Sequence, residues 1–234
     1  CFYESGHYAG TDEQRLAAFV QMANDPTLEA IWFAKGGYGA CRIAEAAVAA
    51  LEAPARTKTY LGYSDAGYLL GALYRAGIGQ VAHGPMPTDV LRNGGADTVA
   101  RSLDWLVRRG ASALEPGLEP GRKYAAFNLI TLAMMTNTPL MPDLRDHVLI
   151  VEEVSEYLYS VDRLFFHLTS VMKDAGLAGL KLGIVNAVPE NNPPFGATAE
   201  EIAREWCERS GIAYLGRAEV GHTAKNRVVP FGVY

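Results

Sequence analysis

Short apolar runs alternate with amphipathic segments along most of this chain. In its first half, the runs that we predict as strands are 29–34, 59–62 and 79–82, and the predicted helices are 42–52, 66–76 and 96–109. This alternation is typical of a parallel β-sheet with helices on its faces. The sequence therefore predicts an α/β fold, in which ligands bind at the carboxyl ends of the strands.

A segment rich in glycine and proline divides the chain. Residues 111–123 contain two Pro-Gly pairs. We predict that this segment is a linker between an N-terminal parallel-sheet α/β domain over 1–110 and a C-terminal α/β domain over 124–234. In the second domain, the predicted strands are 147–151, 182–185 and 213–215, and the predicted helices are 127–135, 161–175 and 199–210.

Composition argues against several classes of protein. The 234 residues carry a net charge of −5 with acidic and basic side chains mixed along the chain, which argues against a nucleic-acid or membrane-surface partner. The cysteines Cys1, Cys41 and Cys207 are widely spaced and form no metal-binding or disulfide pattern. No apolar run is long enough to span a membrane. Because the chain opens at Cys1 without Met, within what reads as ordered sequence, we expect it to be a fragment or a processed product.

One cysteine lies where the backbone favours its reactive form. Cys41 follows the Gly-Gly-Tyr-Gly sequence of residues 36–39, which comes after a predicted strand, and it precedes the predicted helix 42–52. A helix N-terminus presents unpaired N–H groups and the positive end of the helix dipole, and both favour a thiolate. Cys41 is therefore a candidate nucleophile, although similar turns also serve only to bind an anion or to reverse the chain.

Other polar side chains lie just beyond predicted strands. Ser64, Asp65 and His83 follow strands of the first half, and a strand of the second half leads into Glu152 and Glu153. Because the carboxyl ends of parallel strands meet at one edge of a sheet, we expect these groups to border a site.

A thiol nucleophile needs a base, usually histidine, and a third group that orients the base. Of the five histidines, His83 ends a predicted strand and His222 lies in a polar loop of the second half. Arg42, next to the thiol, is able to hold a substrate carboxylate through two hydrogen bonds, although a surface ion pair is the simpler role.

Taken in order, these motifs resemble those of one family. They are Lys-Gly-Gly-Tyr-Gly (35–39), Gly-Tyr-Ser-Asp (62–65), His-Gly-Pro-Met (83–86), Phe-Asn-Leu (127–129), Thr-Pro (138–139), Glu-Glu-Val (152–154), Tyr-Ser-Val-Asp-Arg (159–163) and Gly-His (221–222). The set resembles the LD-carboxypeptidases, also called muramoyltetrapeptide carboxypeptidases, over nearly the whole chain. The resemblance implies two α/β domains with the active site between them.

The resemblance also implies a Ser-Glu-His triad. Carried over by position, the nucleophile is Cys41, at a place where the resemblance implies serine. The orienting acid is Glu152, with Glu153 as the alternative, and the base is His222.

Further roles at the site are expected from the same elbow geometry. The backbone N–H of Arg42, with one from the turn Gly36-Gly37, would form the oxyanion hole. Ser64 and Asp65 would support the site or hold substrate, and His83 is a candidate for binding substrate.

The reaction implied by the resemblance is removal of the terminal D-alanine from a murein tetrapeptide during cytoplasmic recycling of cell-wall peptides. No metal or organic cofactor is implied, and a homodimer is expected from the family. Cysteine at position 41 leaves open a variant that binds the peptide without turnover. A Cys-His-Glu amidotransferase-like hydrolase is a further alternative, although Ile43 stands where its elbow has glycine.

Overall fold

The protein, analysed as a computed structural model that describes residues 3–234, contains two β-sheets with the strand orders β1-β2-β3-β8 and β7-β6-β5-β4-β9. The strands are β1 (Ala30–Trp32), β2 (Thr59–Gly62), β3 (Gln80–His83), β4 (Lys123–Asn128), β5 (His147–Val154), β6 (Gly179–Asn186), β7 (Tyr214–Arg217), β8 (Val229–Pro230) and β9 (Gly232–Val233). The α-helices are α1 (Asp12–Asn24), α2 (Ala44–Ala49), α3 (Gly67–Arg75), α4 (Gly95–Arg108), α5 (Leu129–Met135), α6 (Leu158–Met172) and α7 (Ala199–Ser210). The predicted fold class is confirmed.

Both sheets are parallel apart from one short strand at an edge. Strands β1 to β3 pair in parallel, as do β4 to β7. The short strands β8 and β9 pair antiparallel with β3 and β4, respectively. The carboxyl ends of the parallel strands therefore form a common edge in each sheet, which is where polar side chains were expected to gather.

Two predicted helices differ from the structure. The segment predicted as a helix over 42–52 forms a 3-10 turn over Ala40–Arg42 and then only the six-residue helix α2. The segment 127–135 begins as strand, because β4 continues to Asn128 before α5 starts. Phe127 and its neighbours on β4 are buried, and a short buried strand has the same continuous apolar pattern as a buried helix.

The segment predicted as a linker is packed against the protein. Leu114 forms an isolated parallel bridge with Val228, and Ala113 is buried. Glu115 is also buried, and its carboxylate accepts a hydrogen bond from the N–H of Gly117 at 2.7 Å. The domain boundaries at 110 and 124 remain predictions, but the residues between them have fixed partners.

The end of the chain joins the two sheets. Phe231 lies between β8, which completes the first sheet, and β9, which completes the second. Its N–H donates to the carbonyl of Val81 at 2.8 Å, and its ring contacts those of Tyr74 and Phe127. The last residues of the predicted second domain therefore belong to both sheets, and one continuous hydrophobic core extends under them.

Two glycines bring α3 of the first half close to α5 of the second. A Cβ atom at Gly67 would lie 3.0 Å from the Thr131 side chain, and one at Gly71 would lie 2.7 Å from the sulfur of Met135. Because larger residues would separate the helices, these glycines allow the end of β2 to approach the second sheet. The candidate site lies at this approach.

Candidate active site

His222 and Glu152 form a buried hydrogen-bonded pair. The Nδ1 atom of His222 lies 2.7 Å from Oε2 of Glu152, whose side chain has no exposed surface. An ionised carboxylate only accepts hydrogen bonds, so Nδ1 carries the proton in this arrangement. The other ring nitrogen, Nε2, is then left free to act as a base.

The loop that carries His222 is shaped by its contact with the second sheet. The carbonyl of Val220 accepts a hydrogen bond from Ile184 at 2.7 Å. Gly221 has a φ of +145°, and a Cβ there would lie 2.9 Å from the carbonyl oxygen of Ile184. Glycine therefore fits this position, and it places the imidazole over the end of β5.

Glu153 faces a different set of partners. Its carboxylate accepts hydrogen bonds from Nδ2 of Asn128 and from the N–H groups of Ile130 and Val154, all at 2.9 Å. Burial raises the pKa of Glu153 to about 7 against the effect of these donors. Of the two candidate acids, Glu152 is the one that contacts His222, whereas Glu153 holds the start of α5.

Ser64 lies on a strained turn directly after β2. Its φ is +59°, a left-handed value that is costly for a residue other than glycine, and α3 follows within three residues. A serine on a sharp strand-to-helix turn is the arrangement known as a nucleophile elbow. The small residues Gly62 and Ala66 flank it at two positions on either side.

The turn that contains Gly36 lies directly against Ser64. A Cβ atom at Gly36 would be 2.8 Å from Cβ and 2.9 Å from Oγ of Ser64. Gly37 has a φ of +102° and open space around it. Of the two predicted oxyanion glycines, Gly36 is thus beside Ser64, and Gly37 is the next residue of the same turn.

The ring of Tyr63 connects this elbow to the base. Its centroid lies 4.7 Å from that of His222, and Tyr63 is the residue immediately before Ser64. Within residues 3–234, His222 makes a hydrogen bond with neither Ser64 nor Cys41. Hydrogen bonds between a nucleophile and its base are often long in an unliganded enzyme. Ser64 and Cys41 therefore have to be distinguished by their backbone geometry and by their neighbours.

The surroundings of Cys41 differ from those that the sequence predicted. It lies in the 3-10 turn ahead of α2 rather than at the N-terminus of a long helix, and its side chain is half-buried against the hydrophobic core. A helix of six residues offers little dipole to activate a thiol. The geometry that was expected to favour its thiolate is therefore largely missing.

Arg42 is occupied elsewhere. Its backbone N–H donates to the carbonyl of Gly39 at 3.2 Å, so it does not point to an oxyanion. Its guanidinium forms an ion pair with Asp12 at 2.7 Å. Arg42 therefore has the role of the simpler alternative, a surface ion pair, and we do not place it in the candidate site.

Asp65 and His83 support the site from within. Oδ2 of Asp65 accepts a hydrogen bond from the N–H of Ala40 at 2.7 Å, which fixes the glycine turn to the end of β2. His83 is 1% exposed and packs edge-on against Tyr63. Burial, together with the nearby His222, lowers the pKa of His83 to about 3, so the ring is neutral. The structure therefore places His83 against Tyr63 with almost no solvent access, whereas a residue that binds substrate was expected to be accessible.

Sequence reasoning missed the elbow at Ser64 and the contact made by Tyr63. A signal for the elbow was present, since Gly-Tyr-Ser-Asp-Ala at 62–66 follows a predicted strand and precedes a predicted helix. The contact between Tyr63 and His222 joins residues far apart in the chain and has no local signal.

Within residues 3–234, no group of three or more His, Cys, Asp or Glu side chains is arranged to hold a metal ion. None of the helices in this range combines the length and the apolar character that crossing a membrane requires.

Models of known protein families match most of the chain. Residues 2–84 match the LD-carboxypeptidase N-terminal domain, and residues 124–234 match the LD-carboxypeptidase C-terminal domain. The two matches lie on either side of the packed segment 111–123, and together they contain Ser64, Glu152 and His222.

Individual proteins are also similar to this chain over most of its length. The chain is 28% identical to a putative carboxypeptidase of Synechocystis, over 97% of this chain and 75% of that protein. It is 27% identical to a probable murein peptide carboxypeptidase of Bacillus subtilis, over 98% and 75% of the two chains. The crystal structure of muramoyltetrapeptide carboxypeptidase from Oxalobacter formigenes superposes with a TM-score of 0.80 at 23% identity, covering 99% of this chain and 82% of that one.

Proposed function

The chain belongs to the LD-carboxypeptidase family of peptidases, and on that premise we propose that it releases the terminal D-alanine from murein tetrapeptides, with Ser64 as nucleophile, His222 as base and Glu152 as orienting acid. The observation that carries this proposal is the 2.7 Å hydrogen bond between His222 and Glu152 beside the strained turn at Ser64. Relatives named as murein peptide carboxypeptidases support the substrate class.

Ser64 replaces Cys41 in the proposed triad for three reasons. Ser64 has the backbone strain of a nucleophile elbow, whereas Cys41 lies on a different turn that leads into a shorter helix. Tyr63, its neighbour in the chain, contacts His222. A serine nucleophile also agrees with the Ser-Glu-His triad that the sequence resemblance implied, so no substitution of the nucleophile has to be assumed.

In the proposed reaction, Nε2 of His222 takes the proton of the Ser64 hydroxyl as Oγ attacks the peptide carbonyl. Glu152 keeps the second ring nitrogen protonated and stabilises the imidazolium that forms. The protonated His222 then gives its proton to the amine of the departing D-alanine. Water, activated by the same imidazole, hydrolyses the acyl ester and restores the serine.

Backbone N–H groups would stabilise the negative oxygen of the tetrahedral intermediate. In an elbow of this type, one donor is the N–H of the residue after the nucleophile, here Asp65. The second donor would come from the turn Gly36-Gly37, which touches Ser64. Loss of a single such donor typically lowers kcat by about 10²- to 10³-fold.

The setting of the reaction follows from the same premise. We place it in the recycling of cell-wall peptides in the cytoplasm and expect the active species to be a homodimer. Sedimentation equilibrium of the purified chain tests the second point. A molecular mass equal to 25.3 kDa at micromolar concentration would contradict it.

The reaction itself is tested by incubating the purified chain with a murein tetrapeptide that ends in D-alanine and measuring free D-alanine. Release by the wild-type chain and not by Ser64→Ala is the expected result. A tripeptide substrate that lacks the terminal D-alanine serves as the control for other cleavages. Tight binding without release would instead support a protein that only holds the peptide, and ammonia release from glutamine would support the amidotransferase alternative.

A further inference from the structure

We propose that Arg92, oriented by Asp89, is a positioning residue for His222 and fixes the loop of the base from the side of the first sheet. This inference rests on the proposed function, because it takes His222 to be the base. Arg92 does not approach the reacting nitrogen. It acts through the main chain of His222.

The carbonyl oxygen of His222 is held from both halves of the molecule. It accepts a hydrogen bond from Nη1 of Arg92 at 2.9 Å and another from Nδ2 of Asn186 at 3.3 Å. Asn186 ends β6 of the second sheet, whereas Arg92 follows the 3-10 turn that comes after β3. Since a carbonyl oxygen has two lone pairs, these donors use both and fix the peptide plane of the base.

Asp89 determines where the guanidinium of Arg92 points. The Asp89 carboxylate is buried, and it accepts from Nε of Arg92 at 2.8 Å and from the N–H of Met86 at 2.8 Å. The guanidinium is planar, so fixing Nε on Asp89 also fixes the direction of Nη1. The positive charge of Arg92 in turn compensates the buried carboxylate.

The same carboxylate holds the ring that lies against the base. Oδ1 of Asp89 accepts a hydrogen bond from the hydroxyl of Tyr63 at 2.7 Å. The ring of Tyr63 contacts the imidazole of His222, and its backbone continues into Ser64. Asp89 therefore connects the turn of the nucleophile to the loop of the base through two hydrogen bonds. One comes from the hydroxyl of Tyr63, and the other comes from Arg92, which in turn donates to the carbonyl of His222.

The contacts from Arg92 and Tyr63 hold the base to the first sheet, which the hydrogen bond between His222 and Glu152 does not do. The hydrogen bond to Nδ1 orients the imidazole, and the bonds from Ile184 to Val220 and from Asn186 to His222 hold its loop to the second sheet. Displacement of a catalytic group by about 1 Å is sufficient to lower a rate by roughly 100-fold. Contacts from the first sheet keep the base at a fixed distance from Ser64, which the first sheet also carries.

The test compares Arg92→Met with Arg75→Met. Arg75 also donates to a carbonyl of the other half, that of Met141 at 2.7 Å, but away from the site. We would measure the rate at which a fluorophosphonate labels Ser64, and kcat and KM for D-alanine release. Thermal unfolding of each variant controls for loss of fold.

For Arg92→Met, we expect the labelling rate and kcat to fall roughly 10- to 100-fold, with KM changed less than about twofold. Arg92→Lys retains the charge but not the planar fork, so its rates should lie between those of Arg92→Met and wild type. Arg75→Met should label and turn over at the wild-type rate. If Arg92 only stabilises the fold, Arg92→Met should lower the melting temperature. It should then not lower kcat selectively over KM, and Arg92→Lys should not restore part of the rate.

Unchanged labelling and kcat in Arg92→Met would overturn the inference while leaving the proposed function intact. If the wild-type chain is labelled at Ser64 but releases no D-alanine, the proposed substrate is wrong. The labelling rates of the variants would still show whether Arg92 positions His222. A wild-type chain that neither labels nor releases D-alanine would refute both.

Discussion

The imidazole of His222 packs against the phenol ring of Tyr63, with 4.7 Å between the ring centroids. His222 comes from a loop near the end of the chain, and Tyr63 from the end of β2 in the first sheet. Because Tyr63 immediately precedes Ser64, this contact places the base next to the turn of the proposed nucleophile. The site is thus formed where two sheets meet.

The identity of the nucleophile gives the first prediction. Ser64→Ala should lower D-alanine release at least about 10³-fold, since it removes the attacking atom. Cys41→Ala should remain within about threefold of wild type, because the thiol lies on a separate turn. Steady-state assays of both variants decide between the two residues. Loss of activity in Cys41→Ala together with retained activity in Ser64→Ala would restore the cysteine triad.

The acid of the triad gives the second prediction. Glu152→Gln should lower kcat roughly 10³-fold, because an amide no longer stabilises the protonated imidazole or fixes its tautomer. Glu153→Gln is the matched control, since it is the adjacent buried carboxylate without a bond to His222. It should retain most of the wild-type kcat. Equal losses in the two variants would argue against the assignment of Glu152.

The contact between Gly36 and Ser64 gives the third prediction. Gly36→Ala places a methyl group 2.9 Å from the serine Oγ, so we expect kcat to fall at least about 10-fold. Gly211→Ala is a useful control, because its Cβ meets open space and the strain of its φ of +74° lies at the end of α7. It should lower the melting temperature without a comparable loss of kcat. Wild-type activity in Gly36→Ala would remove this turn from the site.

The buried carboxyl of Glu153 gives the fourth prediction, on stability. Its pKa is about 7 in the folded protein, above the value of about 4.3 expected when the chain is unfolded. The folded state therefore binds more protons between these values, and stability falls as the pH rises from about 4.5 to 7. Over that interval, the contribution of this group should decrease by roughly 3 kcal/mol.

Urea unfolding at several pH values measures the effect. The unfolding free energy of the wild type minus that of Glu153→Gln should be largest near pH 5 and should decrease as the pH rises to 7. His83 opposes the trend, because a neutral buried histidine loses stability as the pH falls below about 6.5. The comparison with Glu153→Gln cancels that contribution. A difference that does not vary with pH would contradict the burial argument for Glu153.

Much of the molecule is readable from local sequence. The alternation of apolar runs and helices predicted the parallel sheet of the first half and an α/β second half, although it missed β4. The acids at 152–153 were expected just beyond a strand, and they lie within β5, at its carboxyl end. These features depend on neighbouring residues, because side-chain periodicity and strand ends are local properties. The ordered motifs also predicted the family that the family models confirm.

The choice between equivalent local signals needed the tertiary structure. Cys41 and Ser64 both follow a strand and precede a helix, and only the backbone strain at Ser64 and the packing of Tyr63 on His222 separate them. Glu152 and Glu153 are adjacent in sequence, but successive side chains of a strand point to opposite faces, so only one meets the histidine.

By itself, the sequence determined the fold class and the family, and it supplied the candidates Cys41, Ser64, Glu152, Glu153 and His222, since these depend on periodicity and on short motifs. The tertiary structure decided which of those side chains meet. Asp89 and Arg92 gave no signal of their own in the chain, and their role depends on a contact with a loop 130 residues away. Such a contact is fixed by the packing of two sheets against each other, which no local pattern records.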